Sequence, residues 1–244
     1  MLCLVVRDAY QREEARELRV ALRELFDGVT WDTVGVYLFW DPETRDILYI
    51  GKDSKLSVRF ADHNGLSHRS RPGDKRQEVD FWFSNHAALG FSVVGQSAAA
   101  HVPGEDSASR AEGQLLETYR LLMDTLPPWN RMGGATVGRR HARPRESILD
   151  LATGPLNSLL VARLTIRELA ARTDAQRHEA TIHHARLLSS FEAGLSTNPA
   201  VSDQDIRRWL TKLVAEPDKY GATMDDHIAL ATSGYLLLTA PFSS

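Results

Sequence analysis

Two apolar, aromatic-rich runs separated by a short polar segment predict a β-hairpin over residues 34–51. The runs read VGVYLFW and ILYIG, and β-branched and aromatic residues of this kind favour strands. The segment DPETRD between them contains Pro42 and two aspartates, which are typical of a turn. Gly35 and Gly51 interrupt the strand pattern, and a glycine inside a strand usually marks a bulge or a close approach by another group.

On both sides of this hairpin, apolar residues recur at helical spacing. Residues 8–28 predict a packing helix that Gly28 ends. Residues 107–126 predict the strongest helix of the chain, and a pair of prolines follows it. Glu117 lies at the edge of the apolar stripe of that helix, where a carboxylate is costly unless it is paired or bound to a metal.

Shorter elements are predicted between these two helices. Residues 54–65 predict a helix on which Arg59 and His63 share a face, because they are four positions apart. Further along, VDFWFS at residues 79–84 and GFSVVGQS at residues 90–97 predict two more strands. The expected fold class is therefore α+β, with a small antiparallel sheet flanked by helices.

From residue 146 onward the pattern is helical, with few strand signals, which predicts an all-helical C-terminal region. Residues 164–195 have the proportions of a helix-turn-helix, and a plain helical hairpin explains them nearly as well. We divide the chain into residues 1–32 as an N-terminal helical segment, 33–134 as the hairpin domain, 135–145 as a basic linker and 146–244 as a helical domain for DNA reading or oligomerisation.

Composition narrows the class of protein. The chain is 43% hydrophobic and 25% charged, as in ordinary globular proteins, and no apolar run approaches the roughly 18 residues of a membrane span. We therefore expect a cytoplasmic protein with no membrane partner. Cys3 is the only cysteine, which excludes an internal disulfide and a thiolate zinc site. The net charge of −3 argues against nucleic-acid binding through bulk charge.

Two local clusters of basic residues are candidate surfaces for binding nucleic acid. Residues 131–145 carry five arginines and no acid, and their glycines and proline predict a loop or linker. Residues 68–76 carry a second cluster of basic residues. A basic run is more often a solvated loop than a binding site, but two runs flanking one aromatic hairpin favour contact with nucleic acid. The candidate contacts in these runs are Arg69, Arg71, Arg131, Arg139, Arg140 and Arg143.

Six positions of the chain share an order with one nuclease family. They are Gly35-Val36-Tyr37, Tyr49-Ile50-Gly51, Arg59, His63, Glu117 and Asn130. This order resembles the GIY-YIG nuclease family over about residues 33–131, and Lys52 after the second triplet fits as well. Glu117 and Asn130 lie slightly further apart than in the family pattern, and the long interval before Glu117 predicts an insertion within residues 65–106.

The resemblance implies a metal-dependent endonuclease that hydrolyses DNA in repair, restriction or defence. Glu117 would hold one Mg²⁺ ion, or Mn²⁺, and Arg59 would contact the scissile phosphate. His63 would hydrogen-bond the attacking water or a neighbouring tyrosine, while Tyr37 or Tyr49 would act as the general base.

Further expectations concern the surroundings of this site. Asn130 would fix the end of the helix that carries Glu117, and Lys52 would contact nucleic acid. Double-stranded DNA is the expected partner, and a homodimer would allow both strands to be cut. The alternatives are a catalytically silent nucleic-acid-binding module and a protein that interacts with partners through its C-terminal helices.

Overall fold

A four-stranded antiparallel sheet organises the part of the protein that the computed structural model describes, namely residues 3–27, 33–68, 71–97, 107–140, 142, 153 and 165–172. Its strands are β1 (Cys3–Tyr10), β2 (Thr33–Trp40), β3 (Ile47–Asp53) and β4 (Leu89–Ser97). Their spatial order is β1-β4-β2-β3, so β1 and β3 form the two edges. Helices surround this sheet, which confirms the α+β class.

The predicted hairpin is β2 with β3. Tyr37 pairs with Gly51 and Phe39 pairs with Tyr49, and the register shifts beside Phe39. The turn ends at Arg45, which adopts a left-handed φ of 68°. Because alternate residues of a strand point to the same face, the side chains of Tyr37, Phe39 and Tyr49 lie on one side of the sheet.

Helices cover both faces of the sheet. They are α1 (Ala15–Phe26), α2 (Leu56–His63), α3 (Arg76–Phe83), α4 (Ser107–Met123), α5 (Thr136–Arg139) and α6 (Ile166–Ala170). The main core joins α1, α2, α3 and α6 to the face that bears Tyr37 and Phe39. α4 contacts β2 and β3 and covers the other face, where Leu38 and Ile50 are fully buried.

The predicted N-terminal helix is confirmed as α1, but the residues before it form the strand β1 and not a helix. Val6 and Tyr10 of this strand are fully buried in the core. Arg7 and Asp8, which follow Val6, interrupt the apolar pattern that would have predicted this strand. Asp8 is tolerated at 1% exposure because Arg167 of α6 donates two side-chain hydrogen bonds to its carboxylate, at 3.0 and 3.1 Å.

The predicted strand at VDFWFS is also wrong, since these residues lie in and directly after α3. Val79 and Trp82 are buried three positions apart, as expected for one face of a helix, and Phe81 between them is 73% exposed. The indole Nε1 of Trp82 donates to the Ala88 carbonyl at 2.8 Å. The predicted strand at GFSVVGQS is confirmed as β4.

The predicted long helix is confirmed as α4, although it ends at Met123 and not at residue 126. Asp124 stops it by adopting a left-handed φ of 56°. The glycine-rich part of the predicted linker packs tightly against this helix. A Cβ at Gly138 would lie 2.2 Å from the Arg110 carbonyl oxygen, so only glycine permits this approach of α5 to α4.

Of the predicted helical C-terminal domain, the described residues include α6. Thr165 caps it by accepting a hydrogen bond from the Glu168 amide. Ile166 and Leu169 are buried in the main core, so this helix is part of the sheet domain. The remainder of the predicted helix-turn-helix lies outside the described residues.

Within the described ranges, we find no helix with the length and apolar character that a membrane crossing requires.

Candidate active site

The hydroxyl of Tyr37 is the point at which three predicted residues meet. Its oxygen lies 2.7 Å from Nε2 of His63 and 3.3 Å from Nε of Arg59. Both partners come from α2, where their spacing of four residues turns them to the same side. The predicted shared face of Arg59 and His63 is thereby confirmed, and it is directed at the first tyrosine of the hairpin.

The protonation of His63 follows from its other ring nitrogen. The backbone amide of Lys75 donates to Nδ1 at 2.8 Å, so Nδ1 is an acceptor. Burial, together with the charges of Arg59 and Lys75, holds the pKa of His63 well below its usual value. The ring is therefore neutral with its proton on Nε2, and it donates to the Tyr37 oxygen.

Tyr37 and Tyr49 pack side by side, with ring centroids 5.9 Å apart. Burial raises the pKa of Tyr37 well above 10 and also raises that of Tyr49. Tyr37 is 1% exposed whereas Tyr49 is half-buried, so Tyr49 is the phenol nearer to solvent.

Gly51 is required by the packing of the two phenols. A Cβ at this position would lie 2.6 Å from the Tyr49 ring and 2.8 Å from the Tyr37 hydroxyl. Real Cβ atoms do not approach other atoms this closely, and both rings are held by neighbours. The glycine of the second triplet therefore makes the space in which the two tyrosines meet.

The loop of residues 71–75 holds the guanidinium of Arg59. The NH2 nitrogen donates to the Gly73 carbonyl at 2.8 Å, and NH1 donates to the Pro72 carbonyl at 3.5 Å. A guanidinium has five N–H groups, and the bond to Tyr37 uses a third. One N–H on each terminal nitrogen is left, which is the pair that can bind two oxygens of a phosphate.

Lys75 is a site residue that sequence reasoning missed. Its amide fixes the tautomer of His63, and its ammonium lies 5.3 Å from the centre of the Tyr49 ring. The same ammonium pairs with Glu78 at 3.2 Å. Lys75 lies within the predicted insertion, where no motif marked it, although the basic cluster around it was the available signal.

Glu117, the predicted metal ligand, is in the second half of α4. It is on the side of α4 that faces α5, and Arg120 donates to both of its carboxylate oxygens, at 3.0 and 2.6 Å. This hydrogen bonding, with the charge of Arg139, lowers the pKa of Glu117. The carboxylate therefore has the cationic partner that its position in the apolar stripe led us to expect.

The charge of a second carboxylate of α4 acts on Tyr49. The charge of Glu112 contributes to the raised pKa of Tyr49, after the larger effect of burial. Because an α-helix turns by about 100° per residue, Glu112 and Glu117 are about 140° apart around the axis. Sequence reasoning missed Glu112, which could have been found by comparing the two glutamates on a helical wheel.

Asn130 binds the edge of the sheet. Its Oδ1 accepts from the Ile50 amide at 2.9 Å, and its Nδ2 donates to the Ile50 carbonyl at 2.8 Å. Trp129 adds a backbone bond to Leu48 at 2.9 Å. The side chain thus fastens the segment after α4 to β3, between the positions of Tyr49 and Gly51, and the role predicted for it at the end of the Glu117 helix stays a prediction.

The residues predicted to contact nucleic acid have different surroundings. Arg71 is paired with Asp62 and lies 3.6 Å from Asp53, so its charge is partly neutralised. Lys52 is on β3, at the half-buried edge of the sheet. Arg131, Arg139 and Arg140 are exposed around α5, whereas Arg69 and Arg143 lie outside the described residues.

The described side chains offer few ligands for a metal ion. The described residues contain no group of three histidine, cysteine or carboxylate side chains that could together hold an ion. A single carboxylate of α4 nevertheless fits Mg²⁺, which keeps several waters and is commonly held by one or two carboxylates together with substrate phosphate.

The chain matches no protein-family model, no curated protein and no solved structure. The resemblance to the GIY-YIG nucleases therefore depends on the order of the motifs and on the side chains that they bring together.

Proposed function

We propose that this protein is a metal-dependent endonuclease of the GIY-YIG type that hydrolyses phosphodiester bonds in DNA. The observation that carries the proposal is the contact of both Arg59 and His63 with the hydroxyl of Tyr37, beside Tyr49. Phosphodiester hydrolysis needs an activated water, and it needs positive charge where negative charge develops on the phosphate. The cluster offers groups for both tasks.

The two phenols act together as the base. As a phenolate, half-buried Tyr49 accepts a proton from the attacking water and becomes a neutral phenol, and we assign the Tyr37 hydroxyl as the donor that stabilises the phenolate before this step. Arg59 and neutral His63 in turn donate to Tyr37, so that charge transferred to the inner oxygen meets two N–H groups. Since the pKa of each phenol is raised, we expect cleavage to increase towards alkaline pH.

Arg59 binds the scissile phosphate through the two N–H groups that remain on its terminal nitrogens. A guanidinium stays charged at any physiological pH and matches two phosphate oxygens at once. The 71–75 loop holds it in place through the Pro72 and Gly73 carbonyls, which limits the orientations open to the bound phosphate.

A carboxylate of α4 would hold the divalent ion, which when bound would neutralise charge on the phosphate and acidify water. Motif order designates Glu117, whereas the electrostatic effect on Tyr49 favours Glu112. We assign the role to Glu112, because Arg120 donates to both carboxylate oxygens of Glu117 and the charge of Glu112 acts on Tyr49.

The experiment is incubation of wild type, Glu112→Gln and Glu117→Gln with supercoiled plasmid, linear duplex and single strands, in Mg²⁺ or EDTA. We expect cleavage by the wild type in Mg²⁺ alone, and a greater loss in Glu112→Gln than in Glu117→Gln. Both variants keep the size of the side chain, and circular dichroism checks that they fold.

Three outcomes would count against parts of the proposal. Cleavage that persists in EDTA would contradict the need for a metal. A greater loss in Glu117→Gln would return the metal to the residue that motif order designates. DNA binding by the wild type without cleavage in any divalent ion would favour a silent nucleic-acid-binding module.

A further inference from the structure

A groove of about 480 Å³ lies between α1 and the segment that follows α2. Three arginines of α1, Arg16, Arg19 and Arg23, line one wall, and residues 65–68 line the other. Neither the motif order nor the proposed chemistry assigns a role to this groove. Its lining includes no acidic residue, which points to an anionic ligand.

The arginines of this wall are available for a ligand. They stand at positions i, i+3 and i+7 of α1, so they share one face of the helix. All three are exposed, and none forms an ion pair with another described residue. Of the five acidic residues at positions 13–27, Glu14 and Glu17 are directed to Arg167 of α6, at 3.0 and 3.7 Å, Asp27 accepts from Ser57, and Glu13 and Glu24 are exposed.

The groove lies next to the candidate active site along the chain. Gly65 in its wall follows His63 by two residues, so their Cα atoms lie within about 7.6 Å of each other. The side chain of Arg76 packs against Gly65, since its Nε lies 2.8 Å from where a Cβ of Gly65 would be. Arg76 directly follows Lys75, whose ammonium lies over the Tyr49 ring.

We propose that the groove binds the sugar-phosphate backbone of the DNA beside the cleaved bond. The seven-residue step from Arg16 to Arg23 spans about 10 Å along the helix axis. One DNA strand presents a phosphate about every 3.4 Å along the duplex axis, so for a helix α1 parallel to that axis the step corresponds to about three phosphate intervals. The inference rests on the proposed function for its choice of DNA among anionic polymers.

The test compares two variants that each lose two positive charges. Arg19→Gln with Arg23→Gln changes the groove, and Arg45→Gln with Arg172→Gln changes exposed arginines outside it. Binding of a fluorescein-labelled DNA duplex is measured by anisotropy in EDTA over a series of salt concentrations. Plasmid cleavage in Mg²⁺ is measured separately, and thermal unfolding checks that both variants are folded.

We expect the groove variant to bind more weakly and to show a shallower dependence of log K on log salt, by about 1.8 if each arginine contacts one phosphate. The control variant should change the slope much less. Equal slopes in the two variants, or no duplex binding by the wild type, would overturn the inference.

The two proposals fail in different ways. A wild type that binds through the groove and never cuts would remove the nuclease proposal and keep the groove as a DNA site. A wild type that cuts, with a groove variant that binds and cuts as the control does, would remove the groove and keep the nuclease.

Discussion

The predicted site has two parts: the tyrosine cluster, formed by Tyr37, Tyr49, Arg59 and His63, and the carboxylate on α4. The order of the residues in the sequence predicted the position of the first part better than that of the second. In the cluster, all four predicted side chains lie together: Arg59 and His63 contact the Tyr37 hydroxyl, and the Tyr37 ring packs against Tyr49. On α4, the predicted carboxylate is turned towards α5 and bound by Arg120. Residue order is thus a good guide within a hairpin and its next helix, and a poorer guide to the face of a distant helix.

The difference has a geometric cause. A strand has only two faces, so the spacing of the triplets determines which side the phenols occupy. A helix distributes side chains around its whole circumference, and a shift of a few residues moves a carboxylate to another face. The proposed exchange of Glu117 for Glu112 as the metal ligand follows from this property of helices.

The largest expected effect comes from breaking the cluster at Arg59. We expect Arg59→Lys to reduce the rate of cleavage by about 10²–10³-fold, because an ammonium cannot hold Tyr37 and two phosphate oxygens in a fixed fork. Arg120→Lys on α4 is the matched control and should cut as the wild type does. Comparable rates for both variants in a plasmid assay would show that the cluster has no special role.

A steric change at Gly51 should have the next largest effect. Gly51→Ala places a Cβ against both phenols, and overpacking of this kind costs about 1–3 kcal/mol of unfolding free energy. Gly133→Ala is the control, since the nearest atom to its Cβ would be 3.7 Å away. Urea unfolding of the two variants measures the difference, and equal stabilities would mean that the phenols do not pack as described.

The smallest effect is a dependence of stability on pH. Below about pH 6.5 the unfolded His63 ring binds a proton, and the folded ring, with its lowered pKa, does not. Acidification therefore favours the unfolded state, by up to about 1.4 kcal/mol per pH unit, until the folded pKa is reached.

The measurement for this prediction is urea unfolding of wild type, His63→Gln and His68→Gln over a pH series. His63→Gln should lose this part of the acid sensitivity, whereas His68→Gln, at an exposed position, should keep it. The same acid sensitivity in all three proteins would mean that His63 is not held neutral.

Local pattern predicted much of the fold. The hairpin, α2, α4 and β4 were all predicted, because each follows a clear period of apolar residues. β1 was missed because Asp8 interrupts its pattern, and the compensating Arg167 is far away in the sequence. The same limit applies to α3, whose run of aromatic residues favours a strand although Phe81 is left exposed.

The residues of the site also fall into those that the sequence predicted and those that it did not. Tyr37, Tyr49, Arg59 and His63 were found because their spacing within adjacent elements is short. Lys75 was missed because it contributes a backbone amide to His63, and an amide is present at nearly every residue. Tertiary contacts of this kind leave no signature in residue type.

The most direct test of the account is cleavage of supercoiled plasmid in Mg²⁺ by Tyr37→Phe, with Tyr119→Phe on α4 as the control. Both changes remove one hydroxyl and keep the ring. Near-ultraviolet circular dichroism should show both folded, although Tyr37→Phe leaves the Arg59 and His63 donors without their shared acceptor and so loses some stability. The account predicts that Tyr37→Phe binds the plasmid and does not cut it, whereas Tyr119→Phe cuts. Cleavage by Tyr37→Phe at the wild-type rate would contradict it.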